Sequence, residues 1–275
     1  MGVTIASSAI TAFRRAVWRH YRRDGRDLPW RRKVTPYRVF VSEVMLQQTQ
    51  VARVADFFPA FIKRFPTFAA LAAPAPREVL EAWRGLGYNR RALWLREAAR
   101  SVIRDHGGRL PRGEESLRAL PGIGVATAAS IAAFAFDQPT VFLETNIRAA
   151  LIHHLFPART KVTERELLAA AAMTLDRRRP REWYSALMDY GSWLKRANPN
   201  PSRRASAHRP QARFRGSARE ARGAALRALL GARDPLSKSQ IIRLQTGIAP
   251  ERLGAALDAL LSEGLIRRRG GKYSV

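Results

Sequence analysis

Cysteine is absent from the 275-residue chain. Disulfides, thiolate metal sites and cysteine-ligated iron–sulfur clusters are therefore excluded together, and cysteine usage leaves the redox compartment undetermined. No run of about 18 apolar residues occurs, and the N-terminus MGVTIASSAITAFRRAVWRH has no signal-type apolar core with a cleavage site. The expectation is a soluble intracellular protein with no membrane partner. Acidic residues are also scarce: 22 Asp and Glu stand against 49 Lys and Arg, a formal charge of +27. A field of that sign attracts polyanions, of which nucleic acid is the commonest. Strand-like alternation is almost missing from the first 195 residues.

The sequence has instead 46% apolar residues, enough for a sizeable core, and a length that predicts two domains. Apolar residues recur at helical spacing over 10–21, 36–49, 51–65, 79–86, 92–105, 117–120, 125–136, 146–155, 164–174 and 181–195. Proline and glycine separate these segments, as at Pro66, Pro74, Gly107, Gly108, Pro121 and Pro157. The reading is an all-helical domain over 1–195. Residues 196–216 form an arginine-rich stretch with no apolar period, expected to be a basic linker or an arm ordered on an anion. The segment 217–275 predicts helices over 218–230, 237–245 and 250–263, then a hairpin around Gly270 and Gly271, whose glycines supply positive φ. Three helices and a basic hairpin describe a small C-terminal winged-helix domain, a DNA reader or a protein-docking module. Its wing residues Arg267, Arg268, Arg269 and Lys272 are candidates for binding phosphate.

Two stretches carry chemistry. In VSEVMLQQTQ, Glu43 sits among Phe40, Val41, Val44, Met45 and Leu46, and burying a carboxylate needs compensation or a raised pKa. In LRALPGIGVATAASIAAF, Pro121-Gly122-Ile123-Gly124 lies between two helices. The glycines permit a sharp turn, and the N–H groups of Gly122, Gly124 and Val125 are left free to meet an anion. A second acid, Glu144 of FLETNIRAA, precedes a helix whose free N–H groups would favour it, so capping is an alternative role. His153 and His154 lack metal-ligand spacing, and no metal or other cofactor is expected.

The combination LPWR (28–31), TPYRVFVSEVMLQQTQV (35–51), GLGY (85–88), LPGIG (120–124), ETNIR (144–148) and ALMDYG (186–191) resembles the helix-hairpin-helix (HhH-GPD) DNA glycosylases, most closely the MutY-like adenine glycosylase branch. The resemblance implies a two-lobed all-α fold, with a hairpin lobe over 28–138 and a second lobe from 1–27 and 139–195. It implies a nucleoid-associated, cytoplasmic and monomeric enzyme of base excision repair. Such an enzyme rotates a mismatched or damaged base out of double-stranded DNA and hydrolyses its N-glycosidic bond. Adenine opposite guanine or 8-oxoguanine is the leading substrate. Uracil, thymine, hypoxanthine or an alkylated base is an alternative, and a non-catalytic DNA-binding protein on the same scaffold is another.

Carried over by position, Glu43 is the acid that protonates the base, and Glu144, where the family has Asp, stabilises the sugar cation. Gln47, Gln48 and Tyr88 enter the duplex, while Leu28, Trp30, Arg31 and Ala126 shape the pocket. Lysine-bearing relatives that also cleave the strand carry their amine where this chain has Ala126, so the resemblance implies no lyase step. The family's four-cysteine cluster has no ligands here, and about 60 residues expected to form the winged helix stand in place of the family's lesion-reading domain. Lys195, Arg196, Arg203 and Arg204 are expected to contact phosphates in the cluster's place.

Overall fold

Pro29, Pro36, Pro76, Pro180 and Pro250 each open a helix, where a missing N–H has no intrahelical partner to lose and the fixed φ suits the first turn. In the computed structural model, residues 4–210 and 213–275 are described. The helices are α1 (Ser7–Asp24), α2 (Pro29–Arg32), α3 (Pro36–Leu46), α4 (Val51–Arg64), α5 (Phe68–Ala72), α6 (Pro76–Ala82), α7 (Arg90–His106), α8 (Glu114–Arg118), α9 (Val125–Phe136), α10 (Thr145–Leu155), α11 (Glu164–Thr174) and α12 (Pro180–Ala197). A 3-10 turn follows at Pro201–Arg204. Then come α13 (Ala218–Gly231), β1 (Leu236–Ser237), α14 (Lys238–Leu244), α15 (Pro250–Ser262), β2 (Arg267–Arg269) and β3 (Lys272–Ser274). The helix α3 stops at Leu46, three residues before the apolar spacing predicts. Short α2 and α5 carry too few turns for periodicity to register.

The described residues divide into two compact units. One holds the residues up to Glu43 with Arg112–Ala119 and Ile123–Pro210; the other holds Val44–Pro111, Leu120–Gly122 and the residues from Arg213 onward. This division differs from the lobe boundaries expected at 28 and 138, because α9 packs on α12 and so joins the first unit.

In the first unit, α1, α9, α10, α11 and α12 enclose a core of Phe13, Val17, Ile147, Leu151, Trp183, Tyr184 and Leu187. A side chain of this size contributes roughly 1.5 to 3 kcal/mol when fully buried. Gly191 lets α12 cross α10 closely, since a Cβ there would overlap the Asn146 carbonyl. The segment 198–206 is not the loose arm expected. Pro201, Ser202 and Ala205 are buried, Ala205 bridges Val162, and the Arg204 guanidinium donates to the carbonyls of Phe156 (3.1 Å), Pro157 (3.0 Å) and Arg159 (2.8 Å). Arg204 thus satisfies the free carbonyls after α10. Gln211 and Ala212 of the expected linker lie outside the described residues.

In the second unit, α4 to α7 bury Phe58, Phe61, Leu71, Leu80, Trp83 and Leu95. The chain from Ala218 to Ser274 forms three helices and a three-stranded antiparallel sheet of order β1-β3-β2. Gly270 and Gly271, with φ of 53° and 76°, make the turn between β2 and β3, as a two-residue hairpin loop demands.

Candidate active site and nucleic-acid interface

Glu43 lies on a helix whose neighbouring Phe40, Val41 and Ser42 are buried. The residue keeps some solvent access, but its carboxyl group is enclosed by protein. Burial pushes that carboxyl up to about 7; the negative charge of Glu144 adds to the rise, while a hydrogen bond from Ser130 and the charge of Arg31 oppose it. Ser130, buried on α9, places its Oγ 2.6 Å from Glu43 Oε2 and 3.0 Å from the carbonyl of Thr127. A hydroxyl has a single proton to give. When Glu43 is neutral, its own O–H donates to Ser130, which donates onward to Thr127, and both contacts are satisfied. When Glu43 is ionised, Ser130 must turn its proton to the carboxylate. Ser130 was not singled out from the sequence; on an alanine-rich helix a lone serine gives no signal.

Glu144 is the residue preceding the first turn of α10, with extended backbone and no side-chain capping bond. Its carboxylate is not used as a cap and remains half-buried. It acts at a distance on two groups, raising the Glu43 carboxyl and favouring the charged form of half-buried Lys195, whose amine is lowered by burial. Lys195 is therefore placed in the electrostatic field of Glu144.

Arg31, expected as a pocket residue, is anchored. Its guanidinium donates to both oxygens of Asp189 at 2.8 and 3.0 Å, and to the carbonyls of Arg26 and Ser185. Arg26 adds its backbone N–H and Nε at 2.8 and 2.6 Å. Burial raises the Asp189 carboxyl, but the bonds and charges of Arg31 and Arg26 outweigh it and hold the group below the usual carboxylate range. This network fixes the segment that presents Leu28 and Trp30, both buried.

In the second unit, the end of α3 and the GLGY loop share one organiser that sequence reasoning missed. Arg91 of α7, buried at 4% exposure, donates to the carbonyls of Val44 (2.9 Å), Met45 (2.8 Å) and Gln47 (2.6 Å), and to Thr49 Oγ1 (2.8 Å) and the Gly87 carbonyl (3.0 Å). It takes the carbonyls that a further helical turn would use, which explains why α3 ends early. The released chain puts Gln48 at φ 55° and Tyr88 at φ 48°, left-handed conformations uncommon for non-glycine residues. Exposed Gln48 and half-buried Tyr88 are thus held in strained backbone, a state that gathers at functional sites. Gln47 turns aside, its Nε2 donating to the Gly122 carbonyl at 3.2 Å.

Only one hairpin glycine needs its conformational freedom. Gly122 has φ 78°, and a Cβ there would lie 2.9 Å from Trp94 Cβ. Gly124 has ordinary φ and open space where a Cβ would stand. Its bareness leaves the residue before α9 without a side chain, and Gly124, Val125 and Ala126 are all exposed at this helix start, where N–H groups can receive a phosphate. Arg196, Arg203, Arg267, Arg268 and Lys272 are exposed. His154 bonds Tyr190 at 2.6 Å, and no cluster of potential metal ligands occurs among the described residues.

Residues 41–173 match the HhH-GPD superfamily base excision DNA repair protein family. The adenine DNA glycosylase of Mycobacterium tuberculosis is 34% identical over 275 residues, covering 90% of this chain and 88% of that protein. The adenine DNA glycosylase of Mycolicibacterium smegmatis is 35% identical, covering 91% of each. The chain belongs to the HhH-GPD superfamily, among relatives of the adenine DNA glycosylases. The rat adenine DNA glycosylase is 39% identical over 66% of this chain, which spans only 38% of that longer protein. Among solved structures, a thermostable thymine-DNA glycosylase matches with a TM-score of 0.60 at 24% identity over 67% of this chain and 87% of its own. A non-covalent endonuclease III–DNA complex matches with 0.57 at 19% identity over 76% and 91%. Both share the fold. The four-cysteine cluster implied by the family resemblance does not fit this chain, which has no cysteine to ligate it.

Proposed function

We propose that the chain is a hydrolytic DNA N-glycosylase that excises adenine mispaired with guanine or 8-oxoguanine. The observation that carries this reading is the enclosed Glu43 carboxyl, hydrogen-bonded to Ser130 and raised to about 7 with a second acid, Glu144, in electrostatic reach. A carboxylic acid kept neutral near pH 7 can donate a proton in the transition state. In the reaction, Glu43 gives its proton to the departing base as the C1′–N bond breaks, and the bonding electrons leave with the base. The Glu144 carboxylate stabilises the positive charge that develops on the sugar. Water then adds at C1′ and returns a proton to Glu43, leaving an abasic site. With Ala126 where lyase relatives carry lysine, no amine is supplied there for a Schiff base.

In this reading the bare start of α9 and the exposed basic residues bind phosphates, while Gln48 and Tyr88 enter the duplex to fill the gap left by the extruded base. The C-terminal three helices and sheet act as a winged helix that adds DNA affinity through Arg267, Arg268 and Lys272. The enzyme works as a monomer on double-stranded DNA.

The test is base release from labelled duplexes containing A:G, A:8-oxoguanine, U:G, T:G, hypoxanthine or alkylpurine pairs, with alkali added afterwards. Alkali-dependent cleavage at adenine that disappears in Glu43→Gln, with binding retained, supports the proposal. Cleavage confined to another base replaces the substrate. Salt-sensitive binding without release from any pair favours a silent scaffold.

A further inference from the structure

Tyr88 is touched from two directions. Arg91 donates to its carbonyl and places its guanidinium carbon 5.5 Å from the ring centroid. The second cation comes from far along the chain: Arg219 on the first turn of α13 donates to the Tyr88 hydroxyl at 3.1 Å, with its guanidinium carbon 5.8 Å from the ring centroid. A cation is disfavoured in the first turn of a helix, where the backbone dipole prefers an anion. Arg219 is therefore poorly placed for the stability of α13 and well placed for Tyr88.

The helix that carries it is fixed at both ends. At the start, Ser217 caps Glu220, and Arg252 of α15 donates to the Ser217 carbonyl (2.9 Å) and to Glu220 (3.1 Å). At the end, Arg77 of α6 donates to the carbonyls of Leu230 and Ala232, both at 2.8 Å. A guanidinium mounted on so constrained a helix restricts the rotamers of the tyrosine it holds, and restricting a side chain before binding lowers the entropy lost on binding.

We infer that Arg219 is a positioning residue through which the C-terminal module presets Tyr88 for insertion into the duplex. This rests on the reading of Tyr88 as the residue that enters DNA. The C-terminal module is then part of the machinery that extrudes the base, in addition to any affinity it supplies.

The experiment measures extrusion without chemistry, so that it is independent of base release. In a Glu43→Gln background, 2-aminopurine beside the target base of an A:G duplex reports unstacking by fluorescence. Arg219→Ala is expected to lower the equilibrium constant for extrusion about tenfold, the effect of losing one charge-assisted hydrogen bond. Tyr88→Phe should mimic it in part, the double variant should lose little more than Arg219→Ala alone, and Arg219→Lys should recover part of the signal. Melting temperature and binding to undamaged duplex should stay at the parent values. Unchanged or increased extrusion in Arg219→Ala, or losses that add fully in the double variant, would overturn the inference; an increase would make Arg219 a latch that withholds Tyr88. Failure of the wild-type chain to release any base would contradict the proposed reaction while leaving this extrusion result standing on its own.

Discussion

Two enclosed carboxylates in the same compact unit have opposite fates. Asp189 receives four hydrogen bonds from Arg26 and Arg31 and is held below the usual carboxylate range. Glu43 has a hydroxyl for its close partner and is raised to about 7. Burial acts on both in the same direction, so the difference comes from the partners. Cations in direct contact make a buried acid an anchor; a neutral partner that can both give and accept a proton leaves it able to exchange one. Removing a partner from the first arrangement would leave buried charge uncompensated, while the second has the raised carboxyl that the proposed chemistry needs.

Exchanging the partners' roles should break the contrast. The largest effect expected is on base release. Glu43→Gln removes the proposed proton donor and should slow single-turnover release about a thousandfold, in the range general acid catalysis supplies. Asp189→Asn should instead act on stability, lowering it by roughly 3 to 5 kcal/mol in urea denaturation because Arg26 and Arg31 lose a buried counter-charge. The two acids should also differ in the sign of their pH dependence. The stability that Asp189 contributes is present above the unfolded value near 3.8 and lost as pH falls through its lower folded value. For Glu43, raised from 4.5 to about 7, stability is full below about 4.5 and lost as pH rises through about 7. Thermal melting should accordingly find Glu43→Gln more stable than wild type at alkaline pH, by at most roughly 3 kcal/mol, with the gain vanishing at acid pH.

A smaller effect separates anchoring arginines from those proposed to bind DNA. Arg204→Ala should cost about 1 to 3 kcal/mol of stability by unpairing the carbonyls after α10, yet leave the salt dependence of DNA binding unchanged. Arg267→Ala should do the reverse, reducing the salt slope by about one with no change in melting. The smallest shift expected comes from Ser130→Ala. Losing a donor that favours the ionised acid should move the alkaline limb of the activity profile upward by roughly half a pH unit.

Much of this was legible in the sequence. The nine helices of seven or more residues between α1 and α12 announced themselves by spacing, and Glu43 stood out because a carboxylate inside an apolar run is costly wherever the chain goes. The Gly270-Gly271 turn was equally plain, since few residues accept positive φ twice in succession. What stayed hidden depends on groups distant in sequence. Ser130 meets Glu43 across 87 residues, Arg91 reaches α3 across 47 or fewer, and Arg219 meets Tyr88 across 131. No local pattern distinguishes Arg91 from the arginines that line the solvent face of the same helix. The early end of α3 shows the cost: apolar spacing continued to Thr49, but a buried guanidinium took the carbonyls that would have continued the helix. The carbonyl contacts of Arg204 stayed hidden for a related reason, since a basic stretch looks alike whether its cations face phosphates or the protein's own backbone.

The central claim is that Glu43 holds a proton near neutrality and gives it to the leaving base. Its most direct test is the single-turnover rate of adenine release from an A:G duplex followed across roughly pH 5 to 9. The expected profile declines on the alkaline side with an apparent pKa of about 7, and the residual rate of Glu43→Gln lacks that decline. A decline that persists unchanged in Glu43→Gln, or a wild-type rate that does not fall through neutrality, would assign the proton to another group and contradict the account.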